Sequence, residues 1–85
     1  MIKVLFFAQV RELIGTGSLE LPAESVAEFA DIEGLRQALS QRGDRWALAL
    51  ESGKLLAAVN QTLVESSHKI QDGDEVAFFP PVTGG

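Results

Sequence analysis

The chain predicts an α+β domain in which helices cover one side of a small mixed sheet. Strand-type runs rich in β-branched and aromatic residues stand at both ends, at residues 2–7 and 75–79. Between them, Ile32, Leu35, Ala38 and Leu39 recur at helical spacing behind Asp31, a good N-cap. The order reads strand, strand, helix, strand, short strand, final strand, with no internal repeat and no linker, which gives two layers.

Residues 2–7 form the first strand, and its only charge, Lys3, marks a solvated face. Alternation therefore turns Ile2, Val4 and Phe6 inward and Lys3, Leu5 and Phe7 outward. Residues 9–14 make a short helical turn closed by Gly15, with Val10, Leu13 and Ile14 toward the core. The following Gly-Thr-Gly-Ser lacks both phosphate-loop spacings and leads into a strand rather than a helix, so it reads as a turn. Residues 18–21 pair as a second strand with Leu19 and Leu21 inward, and Pro22 ends it. Residues 23–30 read as an extended loop.

The principal helix is expected over residues 32–42, with Glu33 in its electropositive first turn and Gly43 behind its end. Asp44 is expected to cap a second, shorter helix carrying Trp46, Leu48 and Leu50 and ending at Ser52 and Gly53. Trp46 reads as a packing residue. Residues 55–59 are a charge-free, buried-type strand, and Asn60-Gln61 turns it into a short strand at 62–64. His68, the only histidine, stands without ligand-type residues at metal spacing and reads as a loop residue. Asp72, Asp74 and Glu75 lack the spacing of a calcium loop, so Asp72-Gly73 is a turn.

Composition narrows the function. With 85 residues the chain suffices for one small domain, residues 1–85, burying somewhat over 60% of its extended surface. Hydrophobic residues at 46% and charged ones at 22% provide for a core. Zero cysteines remove thiolate nucleophiles, thiolate metal sites and disulfides together. A net charge of −5 argues against nucleic acid and anionic membrane and for a partner with a basic docking surface. The apolar run at residues 4–8 is too short for a secretory signal or a membrane span, and a cytoplasmic location is expected.

The last stretch, DGDEVAFFPPVTGG at residues 72–85, is the most informative. Val76 and Phe78 face inward, and Glu75, Ala77 and Phe79 outward. Pro80 and Pro81 lack backbone donors and hold φ fixed, so pairing stops and the chain leaves as a stiff tail over residues 80–85. Residues 81–85 reach roughly 15 Å if fully extended. Gly84 and Gly85, without Cβ atoms, let the backbone enter a channel too narrow for other residues. The group delivered is the α-carboxylate, ionised at neutral pH with a pKa near about 3.5. It is a poor electrophile until coupled to AMP. If the first and last strands are neighbours, Leu5, Phe7, Ala77 and Phe79 form an apolar patch on the face that the helix leaves open, a docking surface beside the tail.

These residues resemble the small, sulfur-carrier subunits of molybdopterin synthase, a ubiquitin-like β-grasp family. The resemblance runs through IKVLFFAQVREL at 2–13, GLRQAL at 34–39, DRWALALESGKLLAAVNQTLV at 44–64 and the final block at 72–85. Residues 17–31 match poorly and carry over no contact. The resemblance implies a ubiquitin-like β-grasp fold. It also implies that Gly85 is adenylated with ATP by a ubiquitin-activating-type adenylyltransferase and converted to a thiocarboxylate by a sulfur donor. The tail, Pro80, Pro81, Val82, Thr83, Gly84 and Gly85, would then enter the large synthase subunit and give its sulfur to cyclic pyranopterin monophosphate, forming the molybdopterin dithiolene. It further implies that Phe7, Arg11, Leu63 and Phe79 lie at the partner interface, joined by Leu5 from the patch. The synthase would be a heterotetramer of two small and two large subunits, with the catalytic side chains on the large one. No resident cofactor and no metal are expected. A carrier of the same fold serving thiamine, cysteine or tRNA thiolation, or a ubiquitin-like modifier of lysines, is the alternative.

Overall fold

A computed structural model describes residues 1–51 and 55–81. The elements are β1 (Ile2–Phe6), α1 (Ala8–Ile14), β2 (Ser18–Leu21), a 3-10 turn (Ala23–Ser25), α2 (Val26–Phe29), α3 (Ile32–Ser40), α4 (Asp44–Ala49), β3 (Leu56–Val59), β4 (Thr62–Val64) and β5 (Glu75–Phe79). The five strands form one sheet in the order β2-β1-β5-β3-β4. β1 and β5 run parallel at its centre, and the other pairs are antiparallel. A mixed sheet with the first and last strands side by side and a helix across one face is the β-grasp arrangement.

Register confirms the side-chain parity. Ile2 stands opposite Leu21 and Val4 opposite Leu19. Val4 also pairs with Val76, and Phe6 with Phe78. All four residues of those last two pairs are buried, and they meet Ile32, Leu35 and Leu39 of α3 in one core cluster. Phe6 stacks on Phe78 at 6.4 Å between centroids and takes the Trp46 ring edge-on at 5.6 Å, so Trp46 is a packing residue.

The caps explain where α3 begins. Asp31 is extended and its carboxylate accepts from Gly34 N at 2.8 Å. The next two amides donate outward, Ile32 N to His68 O at 3.1 Å and Glu33 N to Ser66 O at 2.9 Å. The segment between β4 and β5 thus caps the helix with its carbonyls. His68 serves there through its backbone, with its side chain exposed.

Several expectations shift. Residues 23–30 are a 3-10 turn and a short helix, not an extended loop, held because Phe29 drops into the core. α3 stops at Ser40 rather than residue 42. Ser40 Oγ donates to Gln37 O at 2.7 Å, and Gln41 turns tightly back to Ala38 O. Ala38 is exposed, since the buried stripe is carried by Ile32, Leu35 and Leu39 alone. Gly43, not Asp44, occupies the N-cap of α4 without a side-chain cap, and Asp44 lies in the first turn. α4 ends at Ala49, and Arg36 Nη1 donates to the carbonyl oxygen of its C-cap, Leu50, at 2.7 Å. Leu50 is buried and Leu48 exposed, and the expected end at Ser52 and Gly53 lies outside the described residues.

The 72–75 turn is occupied by its own contacts. Asp72 pairs with the Met1 ammonium at 2.6 Å, and Asp74 accepts from Gln71 N at 2.8 Å and Asn60 Nδ2 at 3.0 Å. Asn60 and Gln61 both adopt left-handed backbone, φ 50° and 69°, as a tight hairpin turn with the sheet's own twist requires.

Candidate docking face and tail root

On the sheet face away from α3, register builds three rows. The first is charged: Glu20, Lys3 and Glu75 stand side by side. Ser18, Leu5, Ala77, Ala58 and Leu63 form the second, across all five strands. In the third, Phe79 pairs with Leu56. Phe7 N donates to Phe78 O at 3.2 Å, so the parallel ladder extends one residue past β1 and brings Phe7 beside Phe79. The face therefore grades from charged to apolar along the direction in which β5 runs, toward Pro80 and Pro81.

The outward side chains of these rows differ in exposure. Leu63 is 64% exposed, Phe7 47% and Leu56 36%, whereas Leu5, Ala77 and Phe79 are half-buried among neighbours. Phe7 is held out by backbone as well as by parity. Ala8 behind it has φ 54°, a conformation non-glycine residues enter at a cost, and this bend sends Val10 into the core while Phe7 stays outside. Gly15, left-handed at φ 85°, closes α1 and returns the chain to β2.

Arg11 is exposed on α1 and folds back over Gly17, where an added Cβ would stand 3.2 Å from its Nε. Since Phe6 N bonds Gly17 O at 3.0 Å, this puts Arg11 on the rim at the Phe7 end of the sheet. Phe7, Leu5, Leu63 and Phe79 are thus brought to one face, with Arg11 at its edge. Val82, Thr83, Gly84 and Gly85 lie outside the described residues.

Two features escaped the sequence reading. Leu56 and Ala58 face outward, a parity hidden because the run at residues 55–59 carries no charge to mark a side. Ala58 is covered although it is not in the core cluster, shielded by the larger residues around it. The second feature is a groove of about 280 Å³ on the helix side of the tail root, lined by Gln9, Val10, Leu13, Leu48, Ala49, Glu51, Leu55, Pro80 and Pro81. Leu48, 61% exposed, stands in its wall.

Two carboxylates are held in ion pairs. Arg36 grips Glu33 through two hydrogen bonds of 2.9 and 2.6 Å and holds the Glu33 carboxyl below its ordinary pKa, while Glu33 raises that of Arg36. Hydrogen bonding from the Met1 ammonium lowers Asp72 in the same way. Among the described residues no three His, Asp or Glu side chains gather as a metal site, and no helix is long and apolar enough to cross a membrane.

Comparison with known proteins follows the same lines. The model of the ThiS family matches residues 4–85. The molybdopterin synthase sulfur carrier subunit of Escherichia coli is 67% identical over 85 residues, covering all of both chains. That of Haemophilus influenzae is 56% identical, again end to end. A solved protein-protein complex of subunits 1 and 2 of the molybdopterin-converting factor from Helicobacter pylori contains a chain with TM-score 0.64 and 26% identity, covering 99% of this chain and 97% of that one. With a family match over nearly its whole length and relatives alike from end to end, this chain belongs to the ThiS family.

Proposed function

We propose that this chain is the sulfur-carrying subunit of a molybdopterin synthase and that its reacting atom belongs to Gly85. The Gly85 carboxylate attacks the α-phosphate of ATP on a ubiquitin-activating-type enzyme, giving an acyl-adenylate and pyrophosphate. A sulfur nucleophile from a donor then displaces AMP and leaves a thiocarboxylate. Its sulfur stays ionised at neutral pH and attacks without a local base, so the carrier needs no triad, metal or general base of its own. The catalytic side chains reside on the large subunit, where the tail delivers sulfur to cyclic pyranopterin monophosphate. The working assembly is a heterotetramer of two small and two large subunits in the cytoplasm.

One observation carries this reading: the apolar rows of the sheet end where Pro80 and Pro81 begin. A partner bound to Phe7, Phe79, Leu5 and Leu63, with Arg11 on its rim, receives the tail at the edge of its own footprint. Body and tail divide the labour, the body supplying recognition and the tail supplying the reactive group.

Intact mass is the test. After incubation with the activating enzyme, ATP and a sulfur donor, the chain should grow heavier by the difference between one sulfur and one oxygen. An unchanged mass, or covalent conjugates of protein size, would overturn the assignment. A variant amidated at Gly85 should neither gain sulfur nor support pterin conversion.

A further inference from the structure

Arg36 and Arg11 use their guanidinium groups in opposite ways. Arg36 donates from Nε and Nη2 to Glu33 and from Nη1 to Leu50 O, so its fork is engaged inside the fold. Arg11 is exposed, and among the described residues its guanidinium makes no hydrogen bond and no ion pair. A long charged side chain without a partner ordinarily samples many rotamers. Arg11 has a seat instead. A Cβ on Gly17 would stand 3.6 Å from its Cδ, 3.2 Å from its Nε and 3.3 Å from its Cζ. Similar distances to successive atoms mean that the side chain lies flat across the glycine rather than touching it with its tip.

The backbone does not require glycine at position 17. Its φ lies outside the left-handed region that Gly15, at 85°, and Gly73, at 91°, occupy, so an L-residue can adopt it. The sheet does not require it either, because the bond from Phe6 N to Gly17 O uses a carbonyl that every residue has. What glycine leaves room for is Arg11: the nearest atoms to the added Cβ all belong to that side chain. Nonbonded carbon-sized atoms rest at about 3.5–4.0 Å, so a methyl group at position 17 displaces Nε and Cζ from their seat. The other end of Arg11 is fixed independently, since Arg11 O accepts from Gly15 N at 2.8 Å where α1 closes.

We infer that Gly17 is a positioning residue: its bare backbone seats Arg11 with the N–H fork open to an acceptor, a carboxylate or a carbonyl, on the large synthase subunit. The inference rests on the proposed function, which puts Arg11 on the rim of the partner's footprint, and adds to it the residue that sets the pose. A planar fork held in one plane is ready for bidentate pairing. Without the seat, the partner must immobilise a rotamer-rich side chain on contact, and that entropic cost appears as weaker binding.

The experiment places Gly17→Ala and Gly17→Val in the full chain, with and without Arg11→Ala, and titrates each against purified large subunit by calorimetry. Gly17→Ala should raise Kd about three-fold and Gly17→Val about as much as Arg11→Ala, roughly ten-fold; beside Arg11→Ala each should change it by less than about two-fold. The melting temperature of Gly17→Ala should stay level or rise, since alanine at a compatible φ narrows the unfolded ensemble, so weaker binding is not loss of fold. Gly17→Ala also secures the result should valine disturb the turn. In the free carrier, relaxation of the Arg11 Nε–Hε signal should report an ordered side chain in wild type and a mobile one in both Gly17 variants. The inference is overturned by a Kd within two-fold of wild type for both Gly17 variants, or by a mobile Arg11 in the wild-type carrier. Equal losses in both backgrounds overturn it too, because the new side chain would then obstruct the partner directly, as does an Arg11→Ala variant that binds like wild type. Sulfur loading of the wild-type chain, followed by mass, tests the parent reading separately, because the Arg11 signal reports on the seat whatever the loading assay gives.

Discussion

Gly34→Ala places two opposing effects at one atom. Gly34 is the third residue of α3, and replacing glycine by alanine within a helix ordinarily stabilises by up to about 1 kcal/mol. Here a Cβ would collide with the carbonyl oxygen of Phe29 and stand 2.9 Å from its carbonyl carbon and 3.0 Å from its Cα. These are backbone atoms that cannot rotate aside, and Phe29 is anchored in the core, so α2 must lift off α3. Overpacking of this kind costs about 1–3 kcal/mol or more. The collision therefore outweighs the propensity gain, for a net loss of about 1–2 kcal/mol, or roughly 5–15 °C in Tm for a domain of this size. Thermal unfolding followed by circular dichroism reads it directly. Gly15→Ala is the comparison: space is open there, but φ is 85°, so only the left-handed backbone penalty of about 1–2 kcal/mol applies. An alanine variant at position 34 as stable as wild type, or more so, would refute the steric reasoning.

Further outcomes follow from the site and its charges. Phe79→Asp, at a half-buried outward position, should remain folded and weaken binding to the large subunit about 30- to 100-fold by calorimetry, through lost apolar contact and a desolvated charge. Adding one residue after Gly85 moves the reacting carbonyl by about 3.5 Å and should abolish sulfur transfer while adenylate-independent binding persists; retained turnover would contradict the tail geometry. Glu33 has a lowered pKa through its Arg36 hydrogen bonds, so its contribution is present above the unfolded value and fades as pH falls through the folded one. The stability gap between wild type and Glu33→Gln should therefore shrink as pH is taken from 7 toward 3, and a constant gap would assign the effect elsewhere.

How far the sequence could be read depended on what each residue faced. In β1 and β5 a single charge, Lys3 or Glu75, fixed the parity of a whole strand, and the inward sets Ile2, Val4, Phe6 and Val76, Phe78 followed. In β3 no charge broke the symmetry, so Leu56 was not assigned to the sheet face away from α3. Ala38 shared the helical spacing of Ile32, Leu35 and Leu39, yet its side chain is too small to report which side it takes, and it lies in solvent. The 23–30 segment was illegible because two short turns do not nucleate themselves. They form where Phe29 is buried and where Gly34 admits the Phe29 carbonyl, a contact between positions that no local pattern links. The groove at Leu48 belongs to the same class, assembled from α1, α4 and the two prolines.

The placement of β5 between β1 and β3 has a consequence for biosynthesis. A nascent polypeptide emerging from the ribosome holds only two separate antiparallel strand pairs, β1 with β2 and β3 with β4, and the strand that joins them is made last. Such distant pairing closes slowly and leaves the edges of these pairs unsatisfied in the meantime. A message cut short before β5 thus yields no assembled sheet at all, rather than a well-formed decoy lacking its tail. Architecture of this kind ties the ability to occupy a partner to possession of the segment that leads into the reactive end.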